Sequence, residues 1–121
     1  MHSTDLRNVQ GAKGKEIRAE TSVPGDSLWF SGHFPEEPLL PGIAQLAIVH
    51  DLIRRFYPEN MTLVGVKRIR FKQVIRPENR IEIQANPDQD KQDEFQFRLK
   101  VEDEVACTGK LVYRQPDMIG R

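Results

Sequence analysis

One cysteine, Cys107, stands in a chain of 121 residues, so neither an internal disulfide nor a cysteine-built metal cluster can form. Histidine is scarce as well: His2, His33 and His50 are the three, and none sits at HExxH spacing. No metal site and no cofactor are expected. No apolar run approaches the roughly 20 residues that cross a bilayer, so no membrane span is expected. The stretch from Met1 to Lys15 is polar and lacks the apolar core of a signal peptide, which suggests a cytoplasmic location. Charge of one sign is missing too. Lys+Arg and Asp+Glu are both 18, and a balanced chain argues against a nucleic-acid partner, whose phosphates demand a surplus of cations. Internal repeats and low-complexity segments are absent.

What is present suits a soluble globular protein: 38% hydrophobic and 30% charged residues. The length fits one domain over residues 1–121, with loose tails at 1–14 and 115–121. A domain of this size buries about two thirds of its unfolded surface.

Hydrophobic periodicity divides the chain. Lys15 to Val23 alternates and predicts a strand. Pro24-Gly25-Asp26 signals a turn, and Trp29-Phe30 form a short apolar pair. A loop rich in Gly and Pro follows, from Gly32 to Pro38. Pro41-Gly42 opens a helix from Gly42 to about Phe56. Ile43, Leu46, Ala47, Val49, Ile53 and Phe56 form its apolar face, widened by Ile48 and Leu52. A helix apolar over so much of its circumference is usually wrapped by other structure. Arg54 and Arg55 suit the dipole of its last turn, and Pro58 stops it. The period then changes to two. Leu63 to Ile75, Arg80 to Ala85, Glu94 to Glu102 and Val105 to Tyr113 read as strands, with turns at Asn86–Asp90 and Asp103-Glu104. Four strands at hairpin spacing beside one apolar helix predict an α+β fold with an antiparallel sheet.

The segment Ser31-Gly32-His33-Phe34-Pro35-Glu36-Glu37-Pro38-Leu39-Leu40-Pro41-Gly42-Ile43 resembles the GHFPxxPxxPGV stretch of the β-hydroxyacyl-acyl-carrier-protein dehydratases, the FabZ/FabA type. Leu63-Val64-Gly65-Val66 with Arg70-Phe71-Lys72 is similar to a second stretch of that family, and Val101 to Tyr113 to its closing hairpin. The resemblance spans roughly residues 17–114. It implies a hot-dog fold, an antiparallel sheet wrapped around one long central helix. It also implies a homodimer or higher homo-oligomer with active sites at the interface. The substrate would be an acyl thioester on an acyl carrier protein or coenzyme A.

The chemistry implied is removal of a proton α to a thioester carbonyl, then loss of the 3-hydroxyl. By resemblance, His33 is the base, and a neutral imidazole suits that task near pH 7. Gly42 would offer its backbone N–H to the thioester oxygen. Phe34, Pro41, Ile43 and Ala47 would border the substrate. The family carries Glu or Asp on the helix five residues after the glycine, but here that position is Ala47. Asp51, one turn further on the same face, is the candidate displaced carboxylate, and His50 borders that face as well. Arg68, Arg70 and Lys72 share one face by a period of two, and Arg70 and Lys72 suit an acidic carrier and its phosphopantetheine. Cys107 reads as a small buried hydrophobe. Three functions follow: a 3-hydroxyacyl-thioester dehydratase, a hot-dog thioesterase using Asp51, or a non-catalytic acyl-thioester-binding subunit, which Ala47 favours.

Overall fold

The computed structural model describes residues 5–30, 39–57, 61–91 and 93–114. In chain order the elements are β1 (Arg7–Gly11), β2 (Ile17–Thr21), a 3₁₀ turn (Leu28–Phe30), α1 (Gly42–Phe56), β3 (Thr62–Phe71), β4 (Ile81–Pro87), β5 (Glu94–Val101) and β6 (Glu104–Arg114). The strands form one six-stranded sheet in the order β1-β2-β4-β5-β6-β3. Every neighbouring pair is antiparallel. β2 and β3 lie near opposite edges, so the segment joining them must cross the sheet. That segment carries α1, which packs nearest β2 and β4. The hot-dog arrangement follows from this single crossing.

Register lines up one apolar face. Ile17, Ala19 and Thr21 of β2 pair with Ala85, Ile83 and Ile81 of β4, which pair in turn with Phe97, Leu99 and Val101 of β5. All are buried. Against them α1 sets Ala44, Gln45, Ile48, Val49, Leu52 and Ile53. Each fully buried Ile or Leu contributes about 1.5–3 kcal/mol relative to exposure. The buried stripe is rotated from the expected one: Ile43, placed there by periodicity, is 70% exposed. Ala44 and Gln45 take the inward positions of the first turn instead.

The expected loose tail at 1–14 is corrected, because β1 lies within it. Its side chains do not alternate, because an edge strand is held by backbone pairing to β2 and buries little. Gly11 closes the β1–β2 hairpin at φ 124°, where a Cβ would lie 2.4 Å from the Glu16 carbonyl oxygen. Only glycine fits such an approach. The β5–β6 hairpin turns on Glu102 and Asp103, both at positive φ, one residue earlier than expected.

β3 ends at Phe71, short of the expected Ile75. Lys72 and Gln73 both donate their N–H groups to the Ala106 carbonyl, which closes the ladder. Within β3 the register slips between Lys67 and Arg70, and Arg68 sits at φ 55°. Arg68 is thus the extra residue of a bulge. The expected single face of Arg68, Arg70 and Lys72 is corrected accordingly: Lys67 and Arg70, three residues apart, oppose Lys110 and Thr108 on one face. An ion-pair chain backs this face. Lys67 Nζ lies 2.6 Å from Glu94 Oε2, and Lys110 Nζ lies 3.0 Å from Asp88 Oδ2 and 3.8 Å from Glu94 Oε1.

Candidate active site

Gly42 is the first residue of α1, and Pro41 is its N-cap, in extended backbone (φ −63°, ψ 154°) and without a side-chain cap bond. The Pro41 carbonyl accepts from the N–H groups of Ala44 (3.0 Å) and Gln45 (3.1 Å). No described group accepts from the N–H of Gly42 or Ile43. These are the donors that a helix start leaves open, and they carry its positive partial charge. Gly42 opens onto a groove of about 290 Å³ bordered by Leu39, Leu40, Gln45, Phe71, Lys72 and Val74. A Cβ on Gly42 would come 2.6 Å from the tip of the Phe71 ring, so glycine keeps this approach clear.

Ala47 and Asp51 line a different space. It is a cavity of about 390 Å³ between α1 and the segment leading to the 3₁₀ turn, bordered also by Thr21, Ser22, Trp29, Ala44 and Ile48. Asp51 is half-buried there. Gly42 and Asp51 are nine residues apart, which is two and a half helical turns. They therefore face opposite sides of α1, about 13 Å apart along its axis. The chain brings together Ala47 and Asp51, and separately Gly42 and Lys72. It does not bring Gly42 and Asp51 into one cavity.

Of the remaining expected residues, Ile43 is exposed and is not part of the groove's lining, and Arg70 is exposed on the outer sheet face. His33 and Phe34 lie outside the described residues, as do Glu36 and Glu37. His50 does not join the Ala47 cavity. Its Nδ1 is hydrogen-bonded to the Tyr113 hydroxyl at 2.8 Å, and the two rings stack at 5.6 Å. Burial holds the His50 ring below its ordinary pKa; Asp51 opposes this and Arg54 adds to it. Cys107 is buried, and burial pushes its thiol up to about 11, which suits an inert core residue.

Two groups escaped the reading of the sequence. Trp29 closes one side of the Ala47 cavity; its nearness to the loop motif was a hint, but which cavity it faces is a tertiary fact. Gln45 is 4% exposed in the first turn, where periodicity alone calls for an apolar residue. Among the described residues, no group of three or more His, Cys, Asp or Glu side chains is placed to hold a metal. Nor is any described helix long and apolar enough to cross a membrane.

Comparison with known proteins adds a lineage to this geometry. A family model described as ApeI dehydratase, ApeI-like, matches residues 9–110. The chain is 29% identical over 116 residues to a 3-hydroxyacyl-acyl-carrier-protein dehydratase FabZ from a Thermoanaerobacter species, covering 88% of this chain and 82% of the relative. It is 30% identical over 120 residues to the same-named enzyme of Chloroflexus aggregans, covering 92% and 83%. In three dimensions it is similar to the dehydratase heterocomplex ApeI:P from Xenorhabdus doucetiae. There the TM-score is 0.83 at 23% identity, over 94% of this chain and 100% of that one. A hypothetical thioesterase from Streptococcus pneumoniae, solved with coenzyme A, matches at TM-score 0.65 and 9% identity, over 88% and 82%. These last two likenesses establish the fold and nothing finer.

Proposed function

The chain belongs to the ApeI-like dehydratase family, and from that membership we propose that it removes water from 3-hydroxyacyl thioesters carried on an acyl carrier protein. The observation that carries this reading is the helix start at Gly42. Two backbone N–H groups without an acceptor among the described residues stand there beside a groove lined by Phe71 and Lys72. A thioester oxygen placed at these donors gains the charge released when the α-proton leaves, and fixed donors stabilise that charge without reorganisation. His33, nine residues before Gly42, takes the proton as a neutral imidazole. The departing 3-hydroxyl takes a proton in turn, from Asp51 or from a water seated over Ala47.

The opposite facing of Gly42 and Asp51 supports a site assembled between two copies of the chain. The thioester carbonyl and the 3-hydroxyl are two carbons apart, far less than the separation of these residues along α1. One substrate therefore meets Gly42 of one copy and Asp51 of another. The edge strand β3 suits that union, because its outer side has no partner strand among the described residues and Val64 and Val66 are each 45% exposed. We place the working unit as a homodimer joined along β3, in the cytoplasm.

Ala47 favours a second reading, a subunit that binds acyl thioesters and leaves the chemistry to a partner. One assay separates these readings. The purified protein is given a 3-hydroxyacyl and a 2-enoyl thioester, on carrier and on coenzyme A, and interconversion is followed in both directions. Interconversion supports the dehydratase. Binding without turnover supports the subunit reading. Release of free thiol indicates a thioesterase and overturns both.

A further inference from the structure

Gln45 is buried inside the first turn of α1, and its Nε2 donates to the Leu40 carbonyl at 3.1 Å. Its Oε1 is buried with no described partner. A polar side chain held this way in an apolar first turn costs desolvation, so the bond to Leu40 calls for a role. The backbone N–H of Leu40 is fixed as well, donating to the Ile75 carbonyl at 2.7 Å, and the Leu40 side chain is 2% exposed. Both backbone groups of the residue two before Gly42 are thus tied.

The reason lies at Pro41. One way to fasten a helix start is a capping box, in which a Gln or Glu of the first turn accepts from the N-cap N–H while the N-cap side chain takes an open N–H of that turn. Proline has neither the N–H nor a capping oxygen. Gln45 reaches one residue further back and donates to a carbonyl instead. The chain entering the helix is anchored, yet no described group takes the N–H of Gly42 or Ile43.

We propose that Gln45 is a positioning residue, clamping Leu40 so that Pro41-Gly42 presents the Gly42 N–H in a fixed direction toward the groove beside Phe71. This rests on the reading of Gly42 as the donor to the thioester oxygen. Gln45 borders the groove but is only 4% exposed, and its described hydrogen bond goes to Leu40, so in this proposal it acts on the rate through Gly42 and not on affinity.

Two variants test it. Gln45→Met keeps the bulk and removes the donor. Gln45→Glu keeps the shape and donates only when its carboxyl is protonated. In the Met variant the Leu40 amide should exchange with solvent about tenfold faster. Its kcat should fall about tenfold or more with KM within twofold, as expected when an oxyanion donor is loosened. For the Glu variant, kcat relative to the native protein should recover as pH falls. Unchanged Leu40 exchange in both variants overturns the clamp. Faster exchange with unchanged kcat overturns its link to Gly42. A native protein without turnover overturns the dehydratase reading, and the exchange of Leu40 still decides the clamp. Should the Met variant fail to fold, the pH recovery of the Glu variant decides, and a flat ratio refutes the proposal.

Discussion

Asp51 sits one helical turn beyond Ala47, and both line the same cavity beside Trp29. A carboxylate in that cavity is therefore displaced along α1 and not moved to another face. If Asp51 has taken over proton delivery, Asp51→Asn should cost about 10²–10⁴-fold in dehydration rate, the usual contribution of a positioned acid. Ala47→Glu would then add little. If a water over Ala47 serves instead, Ala47→Glu should raise the rate and Asp51→Asn should leave it within twofold. Steady-state kinetics of the two variants on one 3-hydroxyacyl thioester distinguish the cases. His33→Ala should abolish turnover in either.

The exposed valines of β3 flank Gly65. An antiparallel seam centred on Gly65 sets the two valines of one copy against those of another. It also keeps Lys67, Arg68 and Arg70 from meeting their own kind. Val64→Lys with Val66→Lys should convert a sedimenting dimer into a monomer at micromolar concentration. Activity should be lost with the dimer, because Gly42 and Asp51 of one chain cannot share a substrate. A variant that sediments as a monomer yet keeps full activity refutes the composite site.

Much of the fold was legible because local chemistry marked it. Pro41-Gly42 and Pro58 fix the ends of α1, and period-two alternation from Phe95 to Val101 leaves no second reading. β1 was not legible, since Arg7–Gly11 is an edge strand whose pairing is made by backbone alone. The bulge at Arg68 was hidden as well. It is a left-handed φ at an ordinary arginine, and it changed which cations share a face. Within the candidate site, Gly42 and Ala47 could be named from the family resemblance, and Asp51 by counting one turn further along the helix. Their division between two sides of α1 follows from helical geometry once both cavities are seen. The burial of Gln45 could not be read from a pattern that reserves such positions for apolar residues.

Lys72 borders the Gly42 groove, whereas Arg70 lies on the outer face opposite Thr108. Both are exposed. Reversing the pair, Arg70→Glu with Lys72→Glu, should weaken kcat/KM for carrier-bound substrate more than for the coenzyme A thioester. The defect should shrink as salt rises, because exposed charges are screened within about 10 Å at 0.1 M. Comparing both substrates across ionic strength checks this. Equal loss on the two would assign the cations a structural part.

The acidic side of the stability profile should depend on the chain from Lys67 to Asp88. The ammonium of Lys67 holds the Glu94 carboxyl below its ordinary range, and the Asp90 and Lys91 N–H groups with Lys110 hold Asp88 lower still. Folded values below unfolded ones mean that the unfolded chain binds more protons as pH falls. The stability these groups contribute is present above about pH 4.5 and lost as pH drops through their folded values. Lys67→Met should move the acid midpoint, followed by circular dichroism, to higher pH.

His50 governs a window nearer neutrality. Its Nδ1 is bonded to the hydroxyl of Tyr113, which is 1% exposed. Burial lowers the ring's pKa, Asp51 raises it in part, and Arg54 lowers it again. The folded value lies below the unfolded one of about 6.5, so the unfolded chain takes the proton first as pH falls. Stability is therefore full above about pH 6.5 and declines toward the folded value. His50→Gln keeps an amide oxygen for Tyr113 and removes the titration, so its unfolding free energy should be flat from pH 7 to 5 where the native protein's declines. Tyr113→Phe should keep the slope and lose about 1 kcal/mol at every pH, the ordinary worth of a hydrogen bond. Urea unfolding at pH 7, 6 and 5 reads both outcomes. A native profile flat over this range would mean that the His50 ring titrates alike in the folded and unfolded chains.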